Sequence, residues 1–494
     1  MSLGSQKLKI SPRGETKMHR FWGIEKARIL LRKMLIDPRP IIVYFDPDVD
    51  GAIAGYLVCK YLRKVGHEFQ WYINSNRSHD WSLPKEKVKG RNIIAVDFII
   101  TAEKVRELSS LGCNLLSMDH HNNGSEAIEC HDGGDCMVIN NQYSFEDDDG
   151  RYLSGAGVVF EVLSQIDEEF DTELNRQLVG ITLLSDIRDI ENPLAEGYLY
   201  LTYSGKYDGF LRRLIDSTMG DRDNSFGVPR MDRNYIDYKF SPALNACFRF
   251  NRQGDVVKFL LGVGELSTVW RDKQKSLVKE LQNGCKVIEL NHTRIVYFNE
   301  IDFLAYSDVL SNFVGLLASR YLDGDKSVIC YMIQEEDGRK FIKRASMRGR
   351  INGIDYNSSI QKLGVCDCRG HNSAFGMVGL KPSKDVFLEV DKVCGVLESE
   401  CQYQRPVIEC ANLSMFLNSP KSFYVAEDNM YKLSQNQTVI KYTGGGYRVK
   451  REGASYREYE VDGIPVLSFN LKSTFSSNYI SLVLDRGNRI FYLE

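Results

Sequence analysis

The chain has 494 residues, 43% of them hydrophobic and 26% charged, which suits about three globular domains rather than one. Its net charge of −3 excludes a strongly basic overall field, although a local basic groove is compatible with it. The twelve cysteines form no regular disulfide framework, and no apolar run approaches ~18 residues. We therefore expect an intracellular, cytoplasmic protein that does not enter a membrane.

Strand-like and helix-like segments alternate over about the first 200 residues. The predicted helices include "WGIEKARILLRKML", "GAIAGYLVCKYLRKVG" and "TAEKVRELSSLG", and the predicted strands are "IIVYF", "NIIAVDF" and "CNLLSMDHH". This alternation is typical of an α/β fold with a mostly parallel sheet and helices on both faces. We assign residues 1–205 to this domain.

The remainder of the chain divides into three predicted regions. Residues 206–285 are expected to form a helical connector, and residues 286–398 a second, smaller α/β domain with a hairpin at Asp337-Gly338. Residues 399–494 read as a β-rich domain in which aromatic and basic residues interleave: Lys441, Tyr442, Tyr447, Arg448, Lys450, Arg451, Tyr456 and Arg457. This pattern fits single-stranded nucleic-acid binding, but it equally describes an ordinary exposed hairpin.

Acidic residues follow each predicted strand of the first domain. Asp46, Asp48 and Asp50 come directly after "IIVYF", Asp97 ends "NIIAVD", and "DHH" ends the third strand. Ligands of open α/β sheets bind at the carboxyl ends of the strands. Alone, "DPDVDG" could be a turn or a calcium loop, although Leu57 occupies the position where an EF-hand has Glu. Asp97 alone could be a helix cap.

Taken together, these clusters and Asp186 in "LLSDI" favour a metal site over the separate explanations. The candidate ligands are too many for one ion and suit two. A mixed Asp/His set favours Mn²⁺ over Mg²⁺ or Ca²⁺. Two metal ions suit hydrolysis of a phosphate ester.

The ordered segments "DPDVDG", Asp97, "DHH" at 119–121 and "SD" at 186 resemble the four motifs of the DHH phosphoesterase superfamily. "LSGAGVVFEVL" and "SPALNACFRF" are similar to segments of RecJ-type single-strand-specific exonucleases. "ASMRGR" followed by "CRGHNSAFG" resembles the DHH-associated domain. The resemblance covers roughly residues 40 to 395. One departure is Arg369, which stands where that domain has a glycine.

The resemblance implies a role for each matching residue. Asp46 and Asp48 would bind one metal ion, and Asp50, His120 and Asp186 the other, with Asp97 bridging both. Asp119 would orient the histidines, and His121 would face the scissile phosphate or the leaving oxygen. The implied catalytic residues are therefore Asp97, Asp119, His120 and His121. The implied substrate contacts are His121, Asn245, Arg249, Ser346, Arg348, Gly370 and His371.

The function that the resemblance implies is a 5′–3′ exonuclease specific for single-stranded DNA, acting in DNA repair and recombination. It would release 5′-mononucleotides by means of a two-metal-activated water, with two Mn²⁺ ions or Mg²⁺ as a substitute. RNA is a second substrate to be tested. Two alternatives stay open: a DHH oligoribonuclease or cyclic-dinucleotide phosphodiesterase, and a non-catalytic DNA-binding scaffold of the same fold. Every acidic position of the four motifs is filled, which favours an enzyme over the scaffold.

Overall fold

The computed structural model describes the following residues: 23–74, 81–97, 99–121, 129–142, 152–186, 193–204, 207, 209–218, 236–264, 266–267, 269–322, 325–351, 354–370, 372–400, 407–417, 439–453, 456–468, 480–485 and 490–493. His371, expected to contact substrate, lies outside them. The chain forms two compact units: the first contains most of the chain up to Tyr207, and the second contains the rest together with Pro47–Val49.

The first unit contains a six-stranded sheet and the helices that cover it. Its strands are β1 (Ile41–Phe45), β2 (Phe69–Ile73), β3 (Asn92–Val96), β4 (Asn114–Asp119), β5 (Glu129–Cys130) and β6 (Cys136–Asn140). Its helices are α1 (Ile24–Ile36), α2 (Val49–Lys64), α3 (Lys85–Val88), α4 (Ala102–Ser110), α5 (Gly155–Ile166), α6 (Glu173–Ser185) and α7 (Pro193–Ser204).

The strand order in this sheet is β2-β1-β3-β4-β6-β5, and all neighbours are parallel except β5 and β6. Every residue of β1, β3, β4 and β6 is buried. Strands that are apolar on both sides require cover on both faces of the sheet. The predicted α/β class with a mostly parallel first sheet is confirmed.

The second unit contains the remaining helices: α8 (Gly209–Thr218), α9 (Ser241–Arg249), α10 (Gln253–Leu260), α11 (Val269–Gly284), α12 (Val314–Tyr321), α13 (Tyr356–Gln361), α14 (Lys384–Glu400) and α15 (Leu413–Leu417). A short π-helical turn, Ile236–Phe240, precedes α9, and two 3₁₀ segments, Glu300–Tyr306 and Leu310–Phe313, precede α12. The segment "LSNFVGLLASRYL" is therefore 3₁₀ in its first turn and α-helical afterwards.

The second sheet is mixed and lies between helices. Its strands are β7 (Lys286–Glu289), β8 (Thr293–Asn299), β9 (Ser327–Glu336), β10 (Arg339–Arg348), β11 (Asp367–Gly370) and β12 (Ala374–Val378), in the order β11-β12-β10-β9-β8-β7. Only β8 and β9 pair in parallel among these described strands. Leu277 and Leu281 of α11 share a core with Phe298, whereas Val390 of α14 packs in a separate core with Ile329. The hairpin predicted at Asp337-Gly338 joins β9 to β10.

A third sheet occupies the C-terminal region. Its strands are β13 (Val407–Cys410), β14 (Val439–Tyr442), β15 (Tyr447–Glu452), β16 (Arg457–Val461), β17 (Ile464–Ser468), β18 (Ile480–Asp485) and β19 (Ile490–Leu493). Their order is β13-β14-β18-β19-β17-β16-β15. The β-rich C-terminal region is thus confirmed, while the exact domain boundaries stay predictions.

Several cations of this third sheet are paired with acids on neighbouring strands. The pairs are Lys441 with Glu409 at 2.9 Å, Arg448 with Glu460 at 2.7 Å, Lys450 with Glu458 at 3.2 Å, and Arg457 with Glu452. Tyr442 is buried. Such cross-strand pairs are ordinary sheet chemistry. Nucleic-acid binding by this region stays a prediction.

Among the described residues, no single helix has the length and apolar character to cross a membrane. The segments Glu300–Tyr306 and Leu310–Tyr321, which meet at a bend of 103°, satisfy those two criteria only as a pair.

Candidate metal centre

The acidic residues of the first unit converge because their strands are parallel neighbours. Asp46 follows β1, Asp97 follows β3, and Asp119 ends β4, with β3 lying between β1 and β4. The amide of Asp97 continues the β3–β4 pairing by donating to Met118 O at 3.0 Å. The carboxyl ends of parallel strands lie at one edge of a sheet, so these side chains are neighbours there.

His120 is the centre of the cluster. Its Nε2 atom lies 3.1 Å from Asp97 Oδ1, 3.7 Å from Asp186 Oδ2 and 3.8 Å from Asp50 Oδ2. Asp50 and Asp97 are 2% and 1% exposed, and the imidazole is buried as well. Buried carboxylates at this spacing repel one another unless a positive charge lies among them.

His121 is held by the carboxylate that precedes it in the motif. Its Nδ1 atom lies 2.7 Å from Asp119 Oδ1, and both residues are buried. Burial by itself lowers the pKa of the imidazole, but the charge of Asp119, the hydrogen bond to it and the charges of Asp186 and Asp46 together outweigh burial and raise the pKa to about 9. The resemblance implies that Asp119 orients the histidines, and among them it contacts His121; the orienting role stays a prediction.

Asn140 supports the same pair, and the sequence analysis missed it. Its Nδ2 atom donates to His121 O at 2.8 Å and to Asp119 Oδ2 at 3.4 Å. Asn140 ends β6, which is the next strand beyond β4. A polar residue directly after the apolar run "CMVI" is the same signal that identified the acids, so the sequence did contain the evidence.

The N-terminus of α5 holds Asp50. The amide of Gly155 donates to Asp50 Oδ2 at 2.6 Å, and that of Ala156 donates to Asp50 Oδ1 at 2.9 Å. The first amides of a helix have no partner within the helix and carry partial positive charge, so they favour a carboxylate. The segment "LSGAGVVFEVL" therefore contributes backbone donors to the site.

Asp97 has an unusual backbone conformation. Its φ is +63°, in the left-handed region that non-glycine residues seldom occupy. Aspartate and asparagine tolerate this region better than other non-glycine residues. Such a conformation costs free energy and persists where the surrounding structure requires it, often at functional sites.

Asp46 and Asp48 are placed differently from the other acids. Asp46 is 2% exposed and accepts a long hydrogen bond of 3.5 Å from Asn74 Nδ2. Asn74 in turn accepts from Tyr44 Oη at 3.0 Å, so a buried polar chain reaches Asp46 from β1. Asp48 is only half-buried, and neither Asp46 nor Asp48 is among the described residues whose ligand atoms converge. A metal-binding role for both stays a prediction.

The converging residues form two overlapping sets that share His120. One set is Asp97, Asp119, His120 and His121, and the other is Asp50, His120 and Asp186; within each set the ligand atoms lie within 4.8 Å of one another. Two ligands about 2.1 Å from one octahedral ion are about 3.0 Å apart. The distances around His120 Nε2 begin at 3.1 Å. Carboxylates with imidazole suit Mn²⁺ and related divalent ions, so these residues fit a metal ion.

Besides Arg348, four of the expected substrate contacts lie in the second unit. Asn245 is half-buried on α9, and Arg249 Nη1 donates to Gln274 Oε1 at 2.8 Å. Ser346 lies on β10 and donates to Phe375 O at 3.1 Å. Gly370 ends β11 with a φ of +131°, and a Cβ there would lie 2.9 Å from Ala374 O. Glycine is therefore required at this position.

Arg348 and Arg369 differ in their partners. Arg348, at the end of β10, hydrogen-bonds only neutral acceptors among the described residues, namely Ser319 Oγ, Ser346 Oγ and Met347 O. Burial lowers the pKa of its guanidinium to about 10. Arg369, which replaces the family's glycine, forms an ion pair of 2.7 Å with Asp367. Substrate contact by any of these residues stays a prediction.

In this chain, aspartates and a histidine pair lie at the carboxyl ends of adjacent parallel strands. Residues 40–185 match the family described as "DHH family, N-terminal domain". The resemblance to the DHH superfamily and to RecJ-type proteins is confirmed by two further comparisons.

The chain is similar to "Single-stranded-DNA-specific exonuclease RecJ" of Bacillus subtilis, with 24% identity over 85% of this chain and 56% of that protein. It therefore spans little more than half the length of that relative. Two structures of RecJ from Thermus thermophilus, in complex with Mn²⁺ and with Mg²⁺, cover 95% of this chain. Their TM-scores are 0.60 and 0.55, their identities 15% and 14%, and the matches span 69% and 68% of those chains. At this identity the likeness establishes the fold.

Proposed function

We propose that this chain is a metal-dependent exonuclease that hydrolyses single-stranded DNA from the 5′ end to 5′-mononucleotides, with two Mn²⁺ ions as its cofactors. The observation that carries the proposal is the convergence of Asp50, Asp97 and Asp186 on His120 Nε2 at 3.1 to 3.8 Å. The similar Bacillus subtilis protein is named as a single-stranded-DNA-specific exonuclease, which supports the choice of substrate.

The chain's own residues would divide the work as follows. Asp50, Asp97, His120 and Asp186 would hold one ion, and Asp46 and Asp48 would hold the second with Asp97 shared. When bound, two divalent ions supply activation of water and stabilise negative charge on the phosphate. The amides of Gly155 and Ala156 keep Asp50 in place. Because these hydrogen bonds form without substrate, the Asp50 carboxylate is already oriented before substrate binds.

His121 would contact the scissile phosphate or the leaving oxygen. Asp119 engages its Nδ1 atom at 2.7 Å, which fixes the ring orientation and directs Nε2 toward the substrate in this proposal. Asn140 holds the Asp119–His121 pair from β6. These contacts limit ring rotation, so a proton held on the imidazole would stay in one position.

Residues of the second unit would bind the DNA backbone. Arg348 offers a guanidinium without a carboxylate partner among the described residues, and a phosphate is the natural anion for it. Ser346, Gly370 and His371 would complete this contact, and Asn245 and Arg249 would contact the strand near its end. Their assignment follows from the family resemblance.

The choice of Mn²⁺ over Mg²⁺ rests on the histidine ligand, because imidazole suits Mn²⁺ better than the harder Mg²⁺. Thermus thermophilus RecJ is described in complex with each of these ions, so Mg²⁺ as a substitute is consistent with the fold. Measuring the activity and the amount of bound metal with Mn²⁺ and with Mg²⁺ would show which ion the protein prefers.

The decisive experiment incubates the protein and Mn²⁺ with single-stranded DNA labelled at the 5′ or the 3′ end, RNA of the same sequence, and a dinucleotide. We expect immediate release of the 5′ label as a mononucleotide and gradual shortening of the 3′-labelled strand. Cleavage of the dinucleotide alone would refute the exonuclease and favour a small-substrate phosphodiesterase. Absence of any cleavage and of Mn²⁺ binding would favour the scaffold. The proposal also includes a cytoplasmic location and a role in DNA repair and recombination.

A further inference from the structure

Arg348 is immobilised by neutral groups, so its charge is fixed in place without being neutralised. Its Nε donates to Ser319 Oγ at 3.2 Å, and its Nη1 donates to Ser346 Oγ at 3.0 Å and to Met347 O at 2.8 Å. These bonds use three of the five N–H donors of a guanidinium. Within the described part of the chain, the two donors on Nη2 make no hydrogen bond, and no carboxylate lies within ion-pair distance.

Both hydroxyls that hold Arg348 have their own protons committed elsewhere. Ser319 Oγ donates to Gly315 O at 3.1 Å, one turn earlier on α12, and Ser346 Oγ donates to Phe375 O at 3.1 Å. A serine oxygen has one donor and two lone pairs, so each of these oxygens presents lone pairs to the guanidinium. Ser319 thus fixes the direction of the Nε edge of Arg348.

On the face of α12 beside Arg348 Nη2, position 315 is a glycine and has no side chain. A Cβ at position 315 would lie 3.0 Å from Arg348 Nη2 and 3.4 Å from Ser346 Oγ. Because three hydrogen bonds hold the guanidinium, it could not retreat from such a methyl group without losing one of them. Gly315 therefore leaves open the space that a phosphate oxygen needs in order to reach Nη2.

We propose that Ser319 is a positioning residue for Arg348 and that Gly315 keeps the guanidinium accessible to the phosphodiester that Arg348 binds. This inference rests on the proposed function, since it takes Arg348 to be a DNA-phosphate contact. Ser319 aims the guanidinium, and Gly315 keeps Nη2 accessible to a phosphate oxygen of the single strand. Neither residue belongs to the motifs that carried the family resemblance.

The test compares Ser319→Ala, Ser319→Thr and Gly315→Ala in the full chain. Ser319 is exposed, so its loss should not prevent folding. We expect Ser319→Ala to raise KM for single-stranded DNA about five-fold with kcat changed less than two-fold, and Ser319→Thr to stay near wild type because it keeps the hydroxyl. Gly315→Ala should raise KM by a similar factor.

Two substitutions serve as controls. Ser399→Ala removes an exposed helical hydroxyl that donates to Val396 O at 2.8 Å, the same kind of bond that Ser319 makes within its helix. Gly254→Ala adds a methyl group on helix α10 where no atom lies within 4 Å. Both should leave KM and kcat unchanged.

A second measurement separates this inference from the proposed function. Fluorescence anisotropy of a 5′-labelled oligodeoxynucleotide, recorded with Ca²⁺ in place of Mn²⁺, reports binding whether or not turnover occurs. If wild type binds but cleaves nothing, the nuclease proposal fails while the variants still decide the roles of Ser319 and Gly315. Unchanged KM and affinity in both Ser319→Ala and Gly315→Ala would overturn the inference, as would wild type that does not bind the oligonucleotide.

Discussion

Gly155 lies directly against Asp97: a Cβ at position 155 would be 2.3 Å from Asp97 Oδ1 and 2.7 Å from its Cγ. The same glycine donates its amide to Asp50 Oδ2. One residue at the start of α5 therefore determines how closely the helix approaches two of the candidate metal ligands. A side chain at this position has no room unless the helix or Asp97 moves.

Gly155→Ala is expected to lower kcat on single-stranded DNA on the order of 100-fold, because a displacement of about 1 Å at a catalytic centre has an effect of this size. The measurement is the rate of mononucleotide release at saturating Mn²⁺. Gly157→Ala in the same helix is the control, since the three atoms nearest to its Cβ would all belong to the Leu153 side chain, the first at 3.0 Å. Equal rates for the two variants would show that the contact with Asp97 is irrelevant to activity.

Asp97→Asn should abolish activity, with a loss on the order of 10³-fold, because it removes the carboxylate expected to be shared by both ions. Asparagine tolerates the φ of +63° better than alanine does, so the backbone should be preserved. In EDTA the melting temperature of Asp97→Asn should be no lower than that of wild type, because the substitution removes one negative charge from a cluster of carboxylates that repel one another. Asp97→Ala should be equally impaired, and a rate within about ten-fold of wild type in either variant would argue against a bridging role.

Metal removal should destabilise the first unit. A ligand present at about 100 times its Kd stabilises the folded state by about 2.7 kcal/mol, so Mn²⁺ should raise the melting temperature by several degrees over EDTA. Asp97→Asn should lose most of this increase. Asp135→Asn should retain it, because Asp135 pairs with Lys33 at 2.6 Å and lies outside the cluster. A wild-type melting curve that Mn²⁺ does not shift would contradict the metal site.

Asn140→Ala should reduce kcat about 10- to 100-fold, the range typical of residues that orient metal-site groups. The reason is that Asn140 contacts both Asp119 and the backbone of His121. Asn114→Ala removes a buried asparagine at the start of β4, where it bonds Asn92 at 2.8 Å. This control should lower the unfolding temperature while leaving kcat of the folded protein near wild type. If the two variants have the same kcat, Asn140 is only structural.

Much of the candidate site could be predicted because it follows strands. The apolar runs identify β1, β3 and β4, and the acids after them are visible in "DPDVDG", "VD" and "DHH". The close approach of Gly155 to Asp97 could not be predicted in this way. Small residues in "LSGAG" are compatible with any close helix packing, and the contact with Asp97 depends on how α5 meets the sheet. The polar chain from Tyr44 through Asn74 to Asp46 has no sequence signal at all.

By itself the sequence determined that acidic residues follow successive strands and that they lie at one edge of a sheet. Parallel strands all point their carboxyl ends the same way, so acids that end successive strands must share that edge. Only the tertiary structure decided which of them meet: β3 lies between β1 and β4, and the cluster centres on His120 Nε2, while Asp46 and Asp48 are left outside. Strand order and helix docking depend on packing between distant segments, which local periodicity does not encode.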